Sequence, residues 1–308
     1  MSQLEKSLAD YLALRHSLGY KLERPGQLLS QFVAYLDTEG VSTVTVQHAL
    51  IWAMLPSGAD VMWWRLRLSA VRQFATYLHT LDPSVEVPPV DLLPVHSKRA
   101  TPYLYAEADI AALMRAAGTL RGEYRVATFR TLLGLLVVTG MRIGEAIRMD
   151  RADANLTTGA LMVRNSKFGK SRELPLHPTT VNALRSYMSR RDRPTWTSDN
   201  PALFCTTSGS RLHHVIVTET FHRLLKLAGL EPRSAECRPR IHDFRHTFAV
   251  QTVLECYRTN GDVQACLPLL STYLGHVDPG STYWYLSAAP ELLQLAGQRL
   301  ERHLGGQS

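Results

Sequence analysis

The sequence predicts a mainly α-helical protein with a small β-hairpin, an α+β chain in two domains. Most of the chain carries apolar residues at the three- and four-residue spacing of amphipathic helices. Two short extended runs near the middle flank a polar, glycine-containing loop, which is the pattern of a hairpin. A proline-rich stretch, 83–102, separates a helical segment, 1–82, from a larger segment, 103–308. With 308 residues, of which 45% are hydrophobic, the chain can form a core in each domain.

Four helices are predicted in the first segment. Each has an apolar stripe on one side, and glycine or proline lies near several of their ends. The longest carries Trp64, Leu68, Val71 and Phe74 on one side. The predicted helices cover residues 4–18, 25–40, 46–54 and 59–81.

The stretch that follows is predicted to be a semi-rigid linker. Proline cannot continue a helix and biases the residue before it towards extended conformations. Few apolar residues of this stretch are periodic, and it holds five of the sixteen prolines of the chain, Pro83, Pro88, Pro89, Pro94 and Pro102. We therefore expect it to connect two domains.

In the second segment, helices surround the predicted hairpin. A strongly apolar helix, 123–139, is predicted to be core, with Gly140 at its end. The extended runs 160–164 and 172–176 form the hairpin, and 202–206 is predicted to add a short strand. The other predicted helices cover residues 107–117, 141–149, 178–190, 215–228 and 262–273, and one more begins near His242.

The charge of the chain suits a polyanionic partner. Its formal net charge is +7, and its pI is about 9.3. Residues 1–90 hold 7 Lys and Arg against 8 Asp and Glu, and the rest of the chain holds 27 against 19. The positive excess therefore lies in the C-terminal part, although charge alone does not establish nucleic-acid binding.

Composition also bears on the compartment. The four cysteines lack CxxC spacing and form no small disulfide framework, so we expect free thiols in a reducing compartment. We see no basic start followed by an apolar run, and no apolar stretch that approaches the length of a bilayer span. These observations lead us to expect a cytoplasmic protein with no membrane partner.

A compact His-Asp-Phe-Arg-His run, 242–246, holds the first candidate catalytic residues. His242 and Arg245 are three residues apart at the start of an apolar helix, so they share one face. A guanidinium binds phosphate through a planar fork of donors, and an imidazole moves protons near neutral pH. Together they predict phosphoryl chemistry.

A zinc site is the alternative for this run. His242 and His246 lie four residues apart, a spacing that can hold zinc on a helix. Arg245 lies between them, and a cation beside a divalent metal is unfavourable. The sequence therefore predicts no metal, and His246 is predicted to pack behind the site.

A second candidate, Arg142, lies at a predicted helix start, where exposed amide groups favour an anion. Glu145 is three residues further on. It either holds Arg142 in place through a charge-assisted bond or is an ordinary acid of the first helical turn.

Four separated blocks of the chain resemble one family, the tyrosine recombinases or phage-type integrases. The C-terminal blocks are His242-x-x-Arg245, then Leu274-Gly275-His276, then Tyr285 nine residues after that histidine. The run 139–146, Thr-Gly-Met-Arg-Ile-Gly-Glu-Ala, resembles the family segment that carries the first catalytic arginine. The order and spacing of these blocks, rather than any one of them, carry the resemblance.

The resemblance implies a catalytic set, Arg142, Lys167, His242, Arg245, His276 and Tyr285. The family places its lysine on a hairpin like the predicted one, at about Lys167, with Lys170 as the competitor. Tyr283 and Tyr285 are some 200° apart on a helix, so only one can face a phosphate. The family spacing selects Tyr285.

The implied activity is site-specific DNA recombination through a covalent 3′-phosphotyrosine, without metal or nucleotide cofactor. The implied partner is double-stranded DNA with a specific recombination site, bound by a homotetramer or by a hetero-oligomer with related recombinases. The first domain would be the core-binding domain of a clamp around DNA. Alternatives are a type IB topoisomerase-like enzyme, which acts alone on one duplex, and a non-catalytic DNA-binding factor.

Several basic residues are candidate DNA contacts in this interpretation. For the arginines of the first domain, an equally weighted alternative is that they form a solvated helix face. The candidates are Arg65, Arg67, Arg72, Lys98, Arg99, Lys170 and Arg172. The leucine-rich tail, 290–304, either caps its own domain or docks on a neighbouring subunit, and a simple two-domain chain fits the recombinase of a mobile element.

Overall fold

The chain forms two compact units, Met1–Arg99 and Ala100–Ser308. A computed structural model describes residues 2–94, 100–164, 171–190, 192, 194, 200–259, 261–275 and 297. The helices and strands of both units are given for these residues.

The first unit is a small helical domain with its own core. Phe32, Leu36, Trp52 and Phe74 are buried at its centre. Polar caps fix several helix starts, as where the Asp60 side chain accepts from a backbone N–H of the first turn. The four predicted helices are confirmed to within a few residues, as α1 Gln3–Ser17, α2 Glu23–Thr38, α3 Val46–Met54 and α4 Val61–Leu81.

Part of the predicted linker packs on this first unit. Val85 and Leu93 are buried in the core of the helices. The Glu86 N–H donates to the carbonyl of Val44 at 3.1 Å. Arg72 donates to the carbonyls of residues 88 and 89 at 2.7 and 2.6 Å. The segment up to Leu93 therefore belongs structurally to the first unit.

The second unit is built of helices around a small sheet. Its core is formed by α6 together with side chains from the helices and loops that pack on it, among them Leu132, Leu136, Phe204 and Phe221. Its helices are α5 Glu107–Ala117, α6 Glu123–Thr139, α7 Ile143–Arg148, α8 Pro178–Met188, α9 His214–Leu227, α10 Asp243–Arg258 and α11 Val263–Leu274, with a 3-10 turn at Arg151–Asp153.

The predicted hairpin is confirmed. Strands β1 Ala154–Asn155, β2 Ala160–Val163 and β3 Arg172–Pro175 form one antiparallel sheet in the order β1-β2-β3. Val163 pairs with Arg172 across the hairpin. The sheet therefore fixes Arg172 at the start of β3, next to the loop that joins it to β2.

The predicted strand at 202–206 is wrong. This segment makes isolated bridges to two different places, from Ala202 to Asp150 and from Cys205 to Arg211. Its apolar side chains, Leu203 and Phe204, are fully buried in the core of the second unit. The run is apolar because it is buried, and it needs no ladder partner.

Among the described residues, none of the helices is both long and apolar enough to cross a membrane.

Candidate active site

Gly140 brings the end of α6 close to α10. It ends α6 in the left-handed conformation, with a φ of 58°. A Cβ atom at this position would lie 2.6 Å from Cδ1 of Phe248 on α10, so the approach requires glycine. The chain then turns through Met141 and places Arg142 at the N-cap of α7.

Arg142 and Glu145 form the charge-assisted contact, which is one of the two alternatives from the sequence. The Nη1 atom of Arg142 donates to Oε1 of Glu145 at 3.0 Å, and the backbone N–H of Arg142 donates to Oε2 at 3.0 Å. The Glu145 side chain is only 2% exposed. A buried carboxylate that holds an arginine is more than an ordinary acid of the first turn.

Glu145 also binds a second arginine, Arg172 of β3. Nη1 of Arg172 donates to Oε1 at 3.1 Å and Nη2 donates to Oε2 at 2.9 Å, which is a bidentate pair. Nε of Arg172 donates to the carbonyl of Tyr273 at 2.7 Å. From the sequence, Arg172 is expected only as a DNA contact. Strand alternation could have indicated otherwise, because Arg172 shares a face with the buried Leu174.

The charge of Glu145 is maintained by these arginines. Burial by itself would raise the pKa of the carboxyl group. The hydrogen bonds from Arg172 and Arg142, with the positive charges of both residues, outweigh burial and bring the pKa down to about 2. Glu145 is therefore ionised at neutral pH and orients two guanidinium groups.

Arg245 lies at the start of α10 and is buried, with 1% of the residue exposed. Its Nη1 donates to the carbonyl of Gly140 at 3.1 Å, and its Nη2 donates to that of Leu274 at 2.7 Å. The guanidinium thus ties the end of α6 to the end of α11. These contacts fix its direction before any substrate binds.

Contacts of Asp243 and Phe244 hold the start of α10 in place. Asp243 is fully buried and accepts from Nε, Nη2 and the backbone N–H of Arg240 at 2.9 to 3.1 Å. Burial raises the pKa of Asp243, and the bonds from Arg240 oppose this. The Phe244 ring stacks on Tyr105 at 4.5 Å, and the Tyr105 backbone N–H donates to Thr247.

His242 precedes α10 and has exposed surface. Partial desolvation of its ring, followed by the positive charges of Arg245 and Arg142, lowers the pKa of His242 to about 4. The imidazole is therefore neutral at physiological pH. Its ring meets the ring of His246 edge-on at 5.1 Å, and His246 is buried beside Asp243.

The described residues contain no group of three His, Cys, Asp or Glu side chains that could hold a metal ion. His242 and His246 are thus not part of such a cluster in that portion of the chain.

Contacts between α6, α7, β3, α10 and α11 bring together five side chains of the second unit that are candidates from the sequence. They are Arg142, Glu145, Arg172, His242 and Arg245. Six other predicted site residues lie outside the described residues: Lys98, Arg99, Lys167, Lys170, His276 and Tyr285.

The three candidate DNA contacts of the first unit differ in their surroundings. Arg65 is half-buried, and Arg72 is bonded to carbonyls of the segment after α4. Arg67 is 7% exposed, donates to the carbonyl of Trp52 at 2.7 Å and lies 3.7 Å over the Trp52 ring. The expectation that Arg67 is a surface phosphate contact is therefore wrong, because its guanidinium binds Trp52 inside the domain.

Known proteins resemble the chain over most of its length. The profile of the phage integrase family matches residues 104–291. A protein of Sinorhizobium fredii that is named as an integrase/recombinase, y4rB, is 40% identical over 308 residues, which is 98% of this chain and 98% of that protein. Tyrosine recombinase XerC of Alcanivorax borkumensis is 28% identical and matches 71% of this chain and 66% of its own length.

Solved structures share the fold. The Tn1549 transposon integrase in complex with a circular intermediate DNA has a TM-score of 0.66 and 16% identity, and covers 98% of this chain and 100% of its own. The site-specific recombinase XerH bound to a palindromic difH substrate has a TM-score of 0.61 and 18% identity, and covers 91% and 77%. At these identities the likeness concerns the fold, and the family assignment rests on the profile match and on the S. fredii relative. The chain therefore belongs to the phage integrase family, and it is a site-specific DNA recombinase of the tyrosine type.

Proposed function

We propose that this recombinase cuts one DNA strand by attack of Tyr285 on a phosphodiester and rejoins it to a different strand. The phenolic oxygen bonds to phosphorus as the bond to the 5′ oxygen breaks, which gives a 3′-phosphotyrosine and a 5′-hydroxyl. A 5′-hydroxyl of another strand then reverses the reaction. The phosphodiester energy is conserved, so the exchange requires no nucleotide.

The observation that carries the proposal is the pair of oriented guanidinium groups, Arg142 and Arg245, beside a neutral imidazole. They come from separate helices and are held by a carboxylate and by two backbone carbonyls. Fixed cationic donors stabilise the charge that develops on the non-bridging oxygens of a phosphoryl group in the transition state. Arg245 is directed by the protein itself, so this stabilisation requires little reorganisation when DNA binds.

In this proposal His242 and Lys167 handle the proton transfers, and His276 contributes a hydrogen bond. A phenol with an ordinary pKa near 10 is a weak nucleophile at neutral pH and needs a route for its proton. His242, which is neutral at physiological pH, accepts that proton or positions the phosphate. Lys167 protonates the leaving 5′ oxygen, with Lys170 as the competitor, and His276 donates a hydrogen bond to the phosphoryl group.

The proposed substrate is double-stranded DNA with a specific recombination site. In solved structures the similar XerH is bound to a palindromic difH substrate and the Tn1549 integrase to a circular intermediate DNA, which supports this partner. Strand exchange needs at least two cleaved sites at once, and we propose a homotetramer, or a hetero-oligomer with a related recombinase, as the active assembly. The similarity to an integrase/recombinase of S. fredii and to a transposon integrase supports a role in a mobile element.

Formation of a covalent adduct tests the proposal. The recognition site is first selected from a random-sequence duplex library by binding, and is then prepared with a nick beside the cleavage position, so that the short 5′-hydroxyl fragment is lost. Wild-type protein in EDTA is expected to form an adduct that survives denaturation, Tyr285→Phe to form none, and the neighbouring variant Tyr283→Phe to form it.

The remaining outcomes distinguish the alternatives. An adduct in Tyr285→Phe that is absent from Tyr283→Phe would move the nucleophile to Tyr283. Binding without any adduct in wild-type protein would replace catalysis by a DNA-binding role. Relaxation of supercoiled DNA without strand exchange would favour a topoisomerase-like enzyme.

A further inference from the structure

We infer that Arg172 is a positioning residue of the cleavage reaction, which acts through Glu145 to orient Arg142. The inference deepens the proposed function and rests on it. It replaces the expectation that Arg172 contacts DNA directly, and four features of its surroundings carry it.

The first feature is the saturation of the Glu145 carboxylate. A carboxylate has about four acceptor positions, two on each oxygen. Oε1 accepts from Nη1 of Arg142 and Nη1 of Arg172, and Oε2 accepts from the Arg142 backbone and Nη2 of Arg172. Each oxygen therefore holds one donor from each arginine. Removal of Arg172 would vacate half of the acceptor positions of a buried anion.

The consequence falls on Arg142. Within the described part of the chain, the Arg142 side chain donates from Nη1 to Glu145, so Nε and Nη2 are available to a phosphate. If two acceptor positions of Glu145 were vacated, the carboxylate would draw further donors from Arg142. The guanidinium would then rotate, and the donors that bind phosphate would be lost or misdirected.

The second feature is the anchorage of Arg172 on the opposite side. Consecutive carbonyls at the C-terminus of α11 accept from two arginines of the site, Tyr273 from Arg172 and Leu274 from Arg245. The C-terminal end of a helix carries negative partial charge, which favours both cations. One helix end thus aligns Arg172 and Arg245 with each other.

The third feature is Gly275, which ends α11 with a φ of 70°. A Cβ atom there would lie 3.0 Å from Nη1 and 3.2 Å from Cζ of Arg172. Glycine therefore provides both the left-handed turn and the space for the guanidinium. The residue that follows in the chain is the proposed catalytic His276.

The fourth feature is the small surface that Arg172 leaves to DNA. Its side chain is 12% exposed, and Nε, Nη1 and Nη2 all donate within the protein. A phosphate contact would require it to leave a buried carboxylate. From the start of β3, Arg172 contacts Glu145 of α7 and the carbonyl of Tyr273 in α11, and Lys167 precedes it by five residues in the sequence.

The test measures single-turnover adduct formation on the nicked site at saturating protein, with DNA affinity measured separately. Arg172→Gln is expected to reduce the adduct rate roughly 10- to 100-fold, as expected when a reacting group is misplaced by about 1 Å, while the affinity stays near that of wild type. Arg172→Lys keeps the positive charge but not the planar fork of donors. Its adduct rate is expected to lie between those of wild type and Arg172→Gln. Arg164→Gln is the matched control, because it removes another arginine of the same hairpin, paired with Asp153 rather than with Glu145.

Two readouts separate positioning from a general structural effect. The first is a double-mutant cycle, in which Glu145→Gln with Arg172→Gln is expected to be no slower than Glu145→Gln alone. The second is the pH profile of the adduct rate. Among the residues that the structure describes, Arg142, Arg172 and His242 are the ionisable groups that face Glu145. Loss of Arg172 is expected to raise the pKa of Glu145 and to move the acidic limb of the profile to higher pH.

The outcomes are distinguishable. If wild-type protein forms no adduct, the proposed function fails and the inference fails with it. Suppose that wild-type protein forms the adduct and that folded Arg172→Gln and Arg172→Lys form it with the same rate and pH profile. This result would overturn the inference and leave the proposed function standing. Weaker affinity at an unchanged rate would identify Arg172 as a DNA contact, and additive effects in the cycle would show that it does not act through Glu145.

Discussion

Glu145 retains its charge in a buried position because two arginines occupy its acceptor positions. An isolated buried carboxylate would be protonated, since the cost of burying its charge exceeds that of taking up a proton. The residue therefore couples the protonation state of the site to its geometry. If Glu145 becomes neutral, both arginines lose the group that orients them.

This coupling predicts a pH dependence of stability. The folded pKa of Glu145, about 2, is below its ordinary value of 4.5. The stabilisation is therefore fully present above pH 4.5 and is lost as the pH falls through 2. A shift of this size corresponds to on the order of 3 kcal/mol. We expect the wild-type protein to be more stable than Glu145→Gln by about this amount above pH 4.5, with the difference decreasing towards pH 2.

Scanning calorimetry of both proteins across this pH range measures the difference in the unfolding transition of the second unit. The comparison cancels groups that titrate equally in the two proteins. A difference that stays constant with pH would show that Glu145 is not held ionised by its arginines.

At this scale the sequence indicates a contact between residues that are close in the chain. The three-residue spacing of Arg142 and Glu145 offers their pairing as one of two alternatives without any knowledge of the fold. The contact of Glu145 with Arg172 joins residues 27 positions apart, and it depends on the register of the hairpin, which a polar loop does not fix. The burial of Arg67 had a local signal, because Arg65 and Arg67 are about 200° apart on a helix and cannot both face outward.

At the scale of elements, the site depends on close approach between helix ends. The end of α6 meets α10 at Gly140, and the carbonyl of Gly140 accepts from Arg245. Gly140→Ala is expected to lower the stability of the protein through two separate effects. The left-handed backbone costs about 1–2 kcal/mol, and the contact with the Phe248 ring adds about 1–3 kcal/mol. Adduct formation should also fall, because the carbonyl that holds Arg245 moves.

Gly229→Ala is the matched control for backbone strain. Gly229 follows the C-cap residue of α9 with a similar φ of 66°, but a Cβ atom there has no heavy atom within 4 Å. Calorimetry is expected to show only the backbone cost for this variant, and its adduct rate should match wild type. Equal destabilisation by the two substitutions would mean that Phe248 yields freely, and that the close approach is not what requires glycine.

The helices and the hairpin were predictable because the spacing of apolar residues within each element marks the face that it buries. An apolar stripe that keeps helical spacing over ten or more residues strongly favours an amphipathic helix. The segment 202–206 is too short to show such a stripe. Its apolar run is buried by contact with several elements, and a short run of this kind indicates burial without specifying a ladder.

At the scale of the molecule, charge is unevenly distributed. Residues 1–90 hold 7 Lys and Arg against 8 Asp and Glu, so this part has no positive excess. Binding of DNA by the first unit would therefore rely on individual solvent-accessible arginines rather than on a general positive field. The structure separates two candidates on α4, since Arg65 is half-buried and Arg67 is enclosed over Trp52.

The salt dependence of DNA affinity distinguishes their roles. Each phosphate contact contributes about −0.9 to the slope of log K against log salt concentration, so Arg65→Gln is expected to make the slope shallower by about one without loss of stability. Arg67→Gln should leave the slope unchanged and lower stability by about 1–3 kcal/mol, because the buried carbonyl of Trp52 loses its donor. Fluorescence anisotropy of a labelled duplex at several salt concentrations gives the slopes, and thermal unfolding gives the stabilities. Each variant is the control for the other, since both remove one positive charge from the same helix. If Arg67→Gln alone changed the slope, the inward orientation of Arg67 would be refuted for the DNA-bound protein, and α4 would have to turn or repack when DNA binds.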